Sequence, residues 1–186
     1  VRLRLRSRHA AAFSADGRWL AGGSEDGAVM VWNEGGRLHW QSIKHQTSIT
    51  ALAFEPFSDV LTIASEDVGL TRWSVVDRQP VGTDLRGNAE WIRSLAFSSD
   101  GHWLATVSDD RMIRSWTRQR EGQPGWSLSG VCPSQDGVPR QVVFHPQDPD
   151  VLAVAGESRI IRLLRLPGCT EERKLSGSDS SWHTRV

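Results

Sequence analysis

Three side chains of the types that nucleophilic hydrolysis uses occur at His45, Ser65 and Asp67. The Ser-x-Asp part of this pattern occurs twice more, as Ser24/Asp26 and Ser108/Asp110. A catalytic group is needed once in an enzyme, whereas a structural device is needed in every copy of a repeated unit. The recurrence therefore predicts a structural role for these residues and no catalytic site.

The recurrence extends to aromatic residues along the whole chain. A Phe and the Trp that ends its unit are 19 residues apart in three cases, namely Phe13–Trp32, Phe54–Trp73 and Phe97–Trp116. A fourth unit runs from Phe144 to Leu164, a spacing of 20 residues, because its first turn is one residue longer. The four Phe residues follow one another at intervals of 41, 43 and 47 residues. Self-similarity at such a period predicts a repeat architecture.

Each unit has the local pattern of short antiparallel strands. In the best-preserved unit, Leu95 to Trp116, apolar residues alternate with polar ones until Ser99-Asp-Gly101 and again until Asp109-Asp-Arg111. Period-two apolarity that is interrupted by Asp/Gly turns is typical of antiparallel strands. Such a unit cannot bury its apolar face alone, so neighbouring units must pack on one another.

Further matches between the units point to a known family. The segment Ser14-Ala-Asp-Gly-Arg-Trp-Leu-Ala21 repeats as Ser98-Ser-Asp-Gly-His-Trp-Leu-Ala105. With this period and these anchors the chain resembles the WD-repeat family of β-propellers, although Asn33, Ser74 and Thr117 follow the Trp residues in place of Asp. The resemblance implies an all-β fold of about four four-stranded blades that form a partial, open propeller. The chain stops in mid-repeat, which suggests a fragment of a longer chain, and the arginine-rich composition and the worn fourth unit fit a bacterial protein.

The resemblance also predicts the blade boundaries. We expect residues 1–8 to be the outer strand of a preceding blade, 9–44 blade one, 45–87 blade two, 88–130 blade three, 131–177 a degenerate blade four and 178–186 the start of a further blade. An arc of four blades has two uncovered ends. We therefore expect the remaining blades to come from a longer chain or, alternatively, from a second copy in a homodimer.

The family supplies a structural explanation for the His, Ser and Asp residues, namely a hydrogen-bonded tetrad that includes the blade Trp. Blade two has the complete set: His45, Ser65, Asp67 and Trp73. The other blades have incomplete sets: Ser24, Asp26 and Trp32 with Arg4 in the His position, Ser108, Asp110 and Trp116 with Asn88 in that position, and Gly156, Ser158 and Leu164 in blade four. Because a buried carboxylate must be paired or hydrogen-bonded, we expect the tetrad to stabilise the blades.

The residue before the tetrad Asp is acidic in three blades and has an acidic counterpart in the fourth: Glu25, Glu66, Asp109 and Glu157. The resemblance places this position at the rim of the central channel, on the loop face where partners bind, with Thr50, Trp91 and Arg93 beside it. Close acidic groups would attract a basic peptide. The alternative is that a solvated tight turn simply favours acidic residues.

Composition limits the remaining classes of function. The 22 Lys and Arg residues balance 22 Asp and Glu residues, which gives no general attraction to nucleic acid or to a membrane surface. No apolar run approaches the roughly 20 residues that a membrane-spanning helix needs. Neither metal-ligand spacing nor a Gly-rich phosphate loop is present, so we expect no metal and no other cofactor. Cys132 and Cys169 lie in different inter-repeat segments, which predicts free thiols in a cytoplasmic protein.

These observations favour a non-enzymatic scaffold or sensor that binds a protein or peptide, and the resemblance adds a role in signalling. The alternative is nucleic-acid binding through the alternating strand Val1-Arg-Leu-Arg-Leu-Arg6 and the loop residues Trp91 and Trp182. Balanced charge weakens that alternative, and a steep salt dependence of binding would identify it. The same arginines are typical of an edge strand that avoids aggregation.

Overall fold

A computed structural model of the protein describes residues 10–43, 45–67, 69–119, 125–135 and 137–176. The predicted strands at 1–8 and 178–186, with Arg4 and Trp182, lie outside these residues. All regular secondary structure in the described residues is β-strand, which confirms the predicted all-β class. Within the same residues we find no helix with the length and apolarity that a membrane crossing requires.

The described strands form four antiparallel sheets that follow one another along the chain. The first contains β1 (Ala10–Phe13), β2 (Trp19–Gly23), β3 (Ala28–Asn33) and β4 (Leu38–Ile43). The second contains β5 (Ile49–Phe54), β6 (Val60–Ser65), β7 (Gly69–Ser74), β8 (Gln79–Pro80) and β9 (Leu85–Arg86). The third contains β10 (Ile92–Phe97), β11 (Trp103–Ser108), β12 (Met112–Arg118) and β13 (Trp126–Pro133). The fourth contains β14 (Pro139–Phe144), β15 (Val151–Gly156), β16 (Ile160–Arg165) and β17 (Thr170–Ser176). These sheets are blades one to four.

The blades are meanders in which strands adjacent in the chain pair with each other. Their first strands, β1, β5, β10 and β14, pack on one another from blade to blade and form the inner side of an arc. Because the strands alternate in direction, the turns between first and second strands lie at one end of every blade. We call this end the lower face. The upper face is the opposite end, which carries the turns between second and third strands and the connections between blades. The fold is thus an open β-propeller of about four blades, as predicted.

Apolar side chains fill the space between consecutive blades. Each of the three core clusters draws its residues from two neighbouring blades. Trp73 packs toward blade one, where its ring centroid lies 5.5 Å from that of Trp40. Trp116 packs in the same way toward blade two, against Ala51 and Leu70. Burial of one such large apolar side chain contributes roughly 1.5–3 kcal/mol, so contacts between blades are a main source of stability.

A buried carboxylate also links blade two to blade three. Glu55 follows β5 at the position where blades one and three have Ser, and its side chain is 0% exposed. It accepts hydrogen bonds from Arg72 of its own blade at 2.5 Å, and from Arg118 at 3.0 Å and Trp126 at 3.3 Å in blade three. A buried charge requires such a complete set of partners.

The outer strands of blades two and three are irregular. Because the ladder between β12 and β13 extends to the pair of Met112 and Pro133, residues 131–133 belong to the sheet of blade three, past the predicted boundary at residue 130. In blade two the outer strand is interrupted, and β8 and β9 pair with β7 separately. Pro80, which has no amide hydrogen to donate, ends β8.

The expectation of free thiols is wrong. Cys132 on β13 forms a disulfide with Cys169 in the turn before β17, and their Cα atoms lie 6.3 Å apart. The two residues meet because the β16–β17 turn of blade four packs against β13, where a Cβ on Gly130 would come within 2.8 Å of the Pro167 carbonyl oxygen. A disulfide is more typical of oxidising compartments. The cytoplasmic location stays a prediction, without the support of free thiols.

Candidate partner-binding face

The four acidic rim residues that the sequence singles out all lie on the upper face. They occupy the turns between the second and third strands of successive blades: Glu25, Glu66, Asp109 and Glu157. Thr50 and Arg93 lie near the upper ends of β5 and β10, and Trp91 directly precedes β10. Sheet topology therefore places all seven residues at one end of the blades.

Trp91, Arg93 and Asp109 form an ordered group on blade three. The Arg93 guanidinium donates two hydrogen bonds to the Asp109 carboxylate, one from Nε at 2.7 Å and a shorter one from Nη2. Its Cζ lies 5.2 Å from the centroid of the Trp91 ring, in cation–π geometry. The Asp109 amide donates to the Trp91 carbonyl oxygen at 3.0 Å. Because Trp91 is 38% exposed, the group presents a fixed aromatic surface to solvent.

Arg140 extends this group to blade four. Its Nη1 lies 3.2 Å from Asp109 Oδ1, and its Nη2 lies 2.5 Å from Glu157 Oε1. The hydrogen bond from Arg140 lowers the pKa of Glu157, and the hydrogen bond to Asp109 raises the pKa of Arg93. Two arginines thus pair with the two rim carboxylates of blades three and four.

The rim of blades one and two has a different charge balance. Glu25 is exposed and Glu66 is partly exposed, and neither forms an ion pair with another residue that the structure describes. The charge of Glu66 still contributes to the raised pKa of Arg93, behind the larger contribution of Asp109. The nearby Thr50 hydroxyl is buried without a hydrogen-bond partner in the described residues. Among the described residues, the rim carboxylates without an ion-pair partner therefore lie on blades one and two.

Inside blade two, His45 fills a polar niche between the strands. Its Nδ1 lies 3.0 Å from Ser65 Oγ and its Nε2 lies 3.2 Å from Thr71 Oγ1, while Ser65 donates a short hydrogen bond to Asp67. Because a serine hydroxyl has one proton, His45 Nδ1 must be the donor to Ser65, and Thr71 then donates to Nε2. A hydrolase needs the reverse, a histidine that accepts the serine proton. Ser65 is also fully buried, so solvent does not reach its hydroxyl in this structure.

The carboxylates of blades one and two are not buried, contrary to the expectation for the tetrad. The side chain of Asp67 is 53% exposed, and Asp26 is exposed as well. Both residues lie in the turn after the second strand and reach back to the preceding serine, so one side of each carboxylate faces solvent. In blade one the hydrogen bonds from Ser24 and from the Ala28 amide lower the pKa of Asp26.

Blade three fills the same niche with an arginine that the sequence did not reveal. Asn88 stands in the position of His45, and Arg114 stands in the position of Thr71, two residues before the blade Trp. Arg114 Nη1 donates to Asn88 at 3.2 Å, and Nη2 lies 2.7 Å from Asp110. The side chains of Arg114 and Asp110 are 7% and 9% exposed. Burial would raise the pKa of Asp110, but hydrogen bonds, chiefly from Arg114, lower it overall.

The predicted hydrogen bond from Ser108 to the Asp110 carboxylate is wrong for blade three. Ser108 Oγ uses its one proton to donate to the Glu90 carbonyl oxygen at 2.9 Å. Trp116 Nε1 donates to Thr106 Oγ1 at 3.4 Å. The signal that could have revealed this network is the charge of Arg114 in the middle of an otherwise buried strand.

Blades one and four depart further from the tetrad. Trp32 is partly exposed and lies outside the core between blades one and two. In blade four Ser158 Oγ donates to the Ile160 carbonyl oxygen of its own turn at 3.1 Å. Arg162, in the position of Arg114, is 6% exposed and lies 3.0 Å from Glu171. In the described part of the chain, no three His, Cys, Asp or Glu side chains cluster in a way that could hold a metal ion.

Four consecutive meanders are arranged in an arc, and the first three have Ser-x-Asp turns and a Trp in the third strand, which is consistent with a β-propeller of WD-repeat type. The family described as "WD domain, G-beta repeat" matches residues 8–33 and 78–117 of the chain. These segments contain the Asp-Gly turn of blade one and that of blade three. The match and the WD-repeat relatives support the WD40 repeat family for this chain.

The chain is similar to several characterised proteins. It is 27% identical over 140 residues to "Nuclear distribution protein nudF" of Emericella nidulans, covering 63% of this chain and 31% of that protein. It is 28% identical over 114 residues to "WD repeat and SOCS box-containing protein 1" of Homo sapiens, covering 60% and 27%. It is 31% identical over 133 residues to "Nucleoporin Nup37" of Drosophila melanogaster, covering 64% and 38%. The similarity thus spans between 27% and 38% of the length of these relatives.

Proposed function

We propose that the chain is a non-enzymatic protein–protein interaction scaffold that docks a protein or peptide segment on its upper face, next to Trp91. The observation that carries this proposal is the group of Trp91, Arg93 and Asp109, in which a bidentate ion pair holds an exposed aromatic ring. Trp and Arg are enriched among the residues that dominate binding energies. Because the group is already ordered in the free chain, docking loses little side-chain entropy.

The partner segment that fits this face carries a basic residue. Glu25 and Glu66 lie on the blades to one side of Trp91 and form no ion pair within the described residues. On the other side arginines match the rim carboxylates. A Lys or Arg of the partner is therefore attracted toward blades one and two, while a neighbouring apolar side chain covers the Trp91 ring.

The test is selection of a displayed library of short peptides on the wild-type chain, with the Trp91→Ser variant used for counter-selection. We expect the enriched peptides to contain Lys or Arg beside an apolar residue. Their affinity should fall at least about tenfold on a Trp91→Ala variant, which is the scale of a binding hot spot.

The matched control is Phe57→Gly, which removes an exposed aromatic ring from the opposite, lower face. Peptides selected through Trp91 should bind this control as they bind the wild-type chain. Equal affinity for the wild-type and Trp91→Ala chains would refute docking at the upper face.

We further propose that the outer side of blade four is covered in the working molecule, by further blades of a longer chain or by a second copy. The support is a set of apolar residues about half exposed on that blade: Val143, Ile161 and Leu175. Sedimentation of this chain at increasing concentration separates the two arrangements. A concentration-dependent dimer supports the second copy, and a monomer throughout favours further blades.

A further inference from the structure

The lower face carries an exposed aromatic residue that the repeat architecture does not require. Phe57 lies in the turn between β5 and β6, is 82% exposed and has a φ of 59°. A bulky residue is strained in this left-handed region. In the corresponding turns of blades one and three the left-handed residue is glycine, Gly17 and Gly101. Blade two therefore displays a strained aromatic ring in a turn that its neighbours build without strain.

The surrounding residues hold the Phe57 turn in this shape. Glu55, two residues earlier, is fixed by its buried ion pairs. Ser58, the next residue, donates to the Glu55 carbonyl oxygen at 3.2 Å and accepts from the Val60 amide at 3.2 Å. The backbone that carries the ring is therefore held in place before any partner binds, which lowers the entropic cost of association.

Two grooves meet at the Phe57 ring. The inner groove has a volume of about 530 Å³ and is lined mainly by apolar residues of blades one to three, among them Phe13 and Phe97. The outer groove has a volume of about 780 Å³ and runs between blades one and two, past Val76, which is 56% exposed. Ala15 and Phe57 line both grooves, so the two grooves are adjacent.

The outer groove is acidic. Three carboxylates, of Asp16, Asp59 and Asp77, line it together with one cation, Arg18. Arg18 pairs with Asp16 at 2.5 Å. Ser74 Oγ lies 2.8 Å from an Asp59 carboxylate oxygen and 2.9 Å from an Asp77 carboxylate oxygen, and it can donate its one proton to only one of them at a time. Neither Asp59 nor Asp77 forms an ion pair with any residue that the structure describes. Two negative charges are therefore available beside the exposed apolar surface.

We infer that this lower surface binds a segment of another protein in which a bulky apolar side chain is flanked by Lys or Arg. The apolar side chain packs against Phe57 in the inner groove, and the basic residues face Asp59 and Asp77 in the outer groove. The inference is independent of docking at Trp91, which lies at the opposite end of the blades. A chain with both surfaces can hold two partners at once.

The experiment is selection of a displayed library of short peptides on the full 186-residue chain, with Phe57→Gly used for counter-selection. Enriched peptides should carry an apolar residue between basic residues and lose at least about tenfold in affinity on Phe57→Gly. Glycine adopts the positive φ without strain, so the melting temperature of this variant should stay within about 2 °C of wild type. A larger drop would assign Phe57 to packing and overturn the inference.

A second variant tests the charges. Asp59→Asn combined with Asp77→Asn should weaken binding about three- to tenfold and make it less sensitive to salt. Trp91→Ala is the control from the upper face and should leave this binding unchanged. Enrichment of acidic peptides, or equal binding to wild-type and Phe57→Gly chains, would overturn the inference. Self-association that disappears in Phe57→Gly would assign the surface to a second copy and would overturn it too.

Discussion

Blades two and three fill the same internal niche with different side chains. In blade two a chain of hydrogen bonds links Thr71, His45 and Ser65 and ends at the Asp67 carboxylate. In blade three the space is occupied by the buried ion pair of Arg114 and Asp110. The difference teaches that the niche requires satisfied hydrogen bonds rather than one particular set of residues.

The two blades also differ where they reach the upper face. Thr50 and Glu66 of blade two occupy the positions of Arg93 and Asp109 in blade three. Blade three therefore pairs its rim carboxylate, whereas that of blade two remains open among the described residues. Equivalent positions thus carry a carboxylate without an ion-pair partner in blade two and an ion pair in blade three. The ion pair of blade three supports the aromatic ring of Trp91.

The largest effect that separates the two niches is expected for Arg114→Ala. The change leaves the nearly buried carboxylate of Asp110 without its guanidinium partner, so the free energy of unfolding should fall by about 3–5 kcal/mol. Denaturant titration measures the loss. Arg86→Ala, at a side chain that is 76% exposed, is the control and should change stability by less than about 0.5 kcal/mol. A similar small loss for Arg114→Ala would contradict the role of the ion pair.

In blade two, His45→Ala should lower the free energy of unfolding by about 1–3 kcal/mol. The cost is smaller than for Arg114→Ala because Ser65 and Thr71 lose one partner each, while the carboxylate of blade two, Asp67, is 53% exposed and stays hydrated. The exposed His102 provides the control variant, His102→Ala. The same denaturant titration measures both variants. Equal losses in the free energy of unfolding for His45→Ala and His102→Ala would show that the hydrogen bonds of His45 do not stabilise blade two.

Asp67→Ala should cost less than His45→Ala, about 0.5–1 kcal/mol, because solvent already reaches the Asp67 carboxylate. The sequence alone suggests the same cost for both residues. Thermal unfolding of the two variants side by side shows which one loses more stability. A larger loss for Asp67→Ala would show that the hydrogen bond from Ser65 to Asp67 stabilises blade two more than the hydrogen bonds of His45 do.

Acid should affect the two blades differently. The pKa of Asp110 is lowered in the folded chain, so its carboxyl group loses its proton at a lower pH in the folded chain than in the unfolded chain. Its contribution is therefore complete above the ordinary Asp value of about 3.9 and is lost as pH falls through the folded-state pKa. Asp110→Asn should make the decline of stability below about pH 4 shallower. An unchanged slope would show that Asp110 is not a source of acid sensitivity.

The strands and turns could be predicted because their signals are local. The spacing from Phe97 to Trp116 and the turns between them specify one blade, and the repetition of this pattern specifies the arc. Glu55 and Arg118 could not be predicted as partners, since they are 63 residues apart and meet only after two blades pack. The same reason applies to Arg114, whose partner Asn88 lies in the connection before β10, 26 residues away.

The candidate face could be located in the sequence but not described in full. Topology alone places Glu66, Asp109 and Glu157 at one end of the blades. The distinction between paired and open carboxylates depends on Arg140, which reaches two blades at once. The sequence does not single out Phe57 as an exposed residue, because its exposure follows from the conformation of a single turn.

The central claim is that the upper face binds a basic segment through Trp91 and the open carboxylate of blade two. The most direct test is the affinity of a peptide selected on the wild-type chain for Glu66→Gln and for Glu157→Gln, which removes a carboxylate already paired with Arg140. We expect Glu66→Gln to weaken binding about three- to tenfold and Glu157→Gln to change it less than about twofold. Equal effects of the two variants, or tighter binding by Glu66→Gln, would contradict the claim.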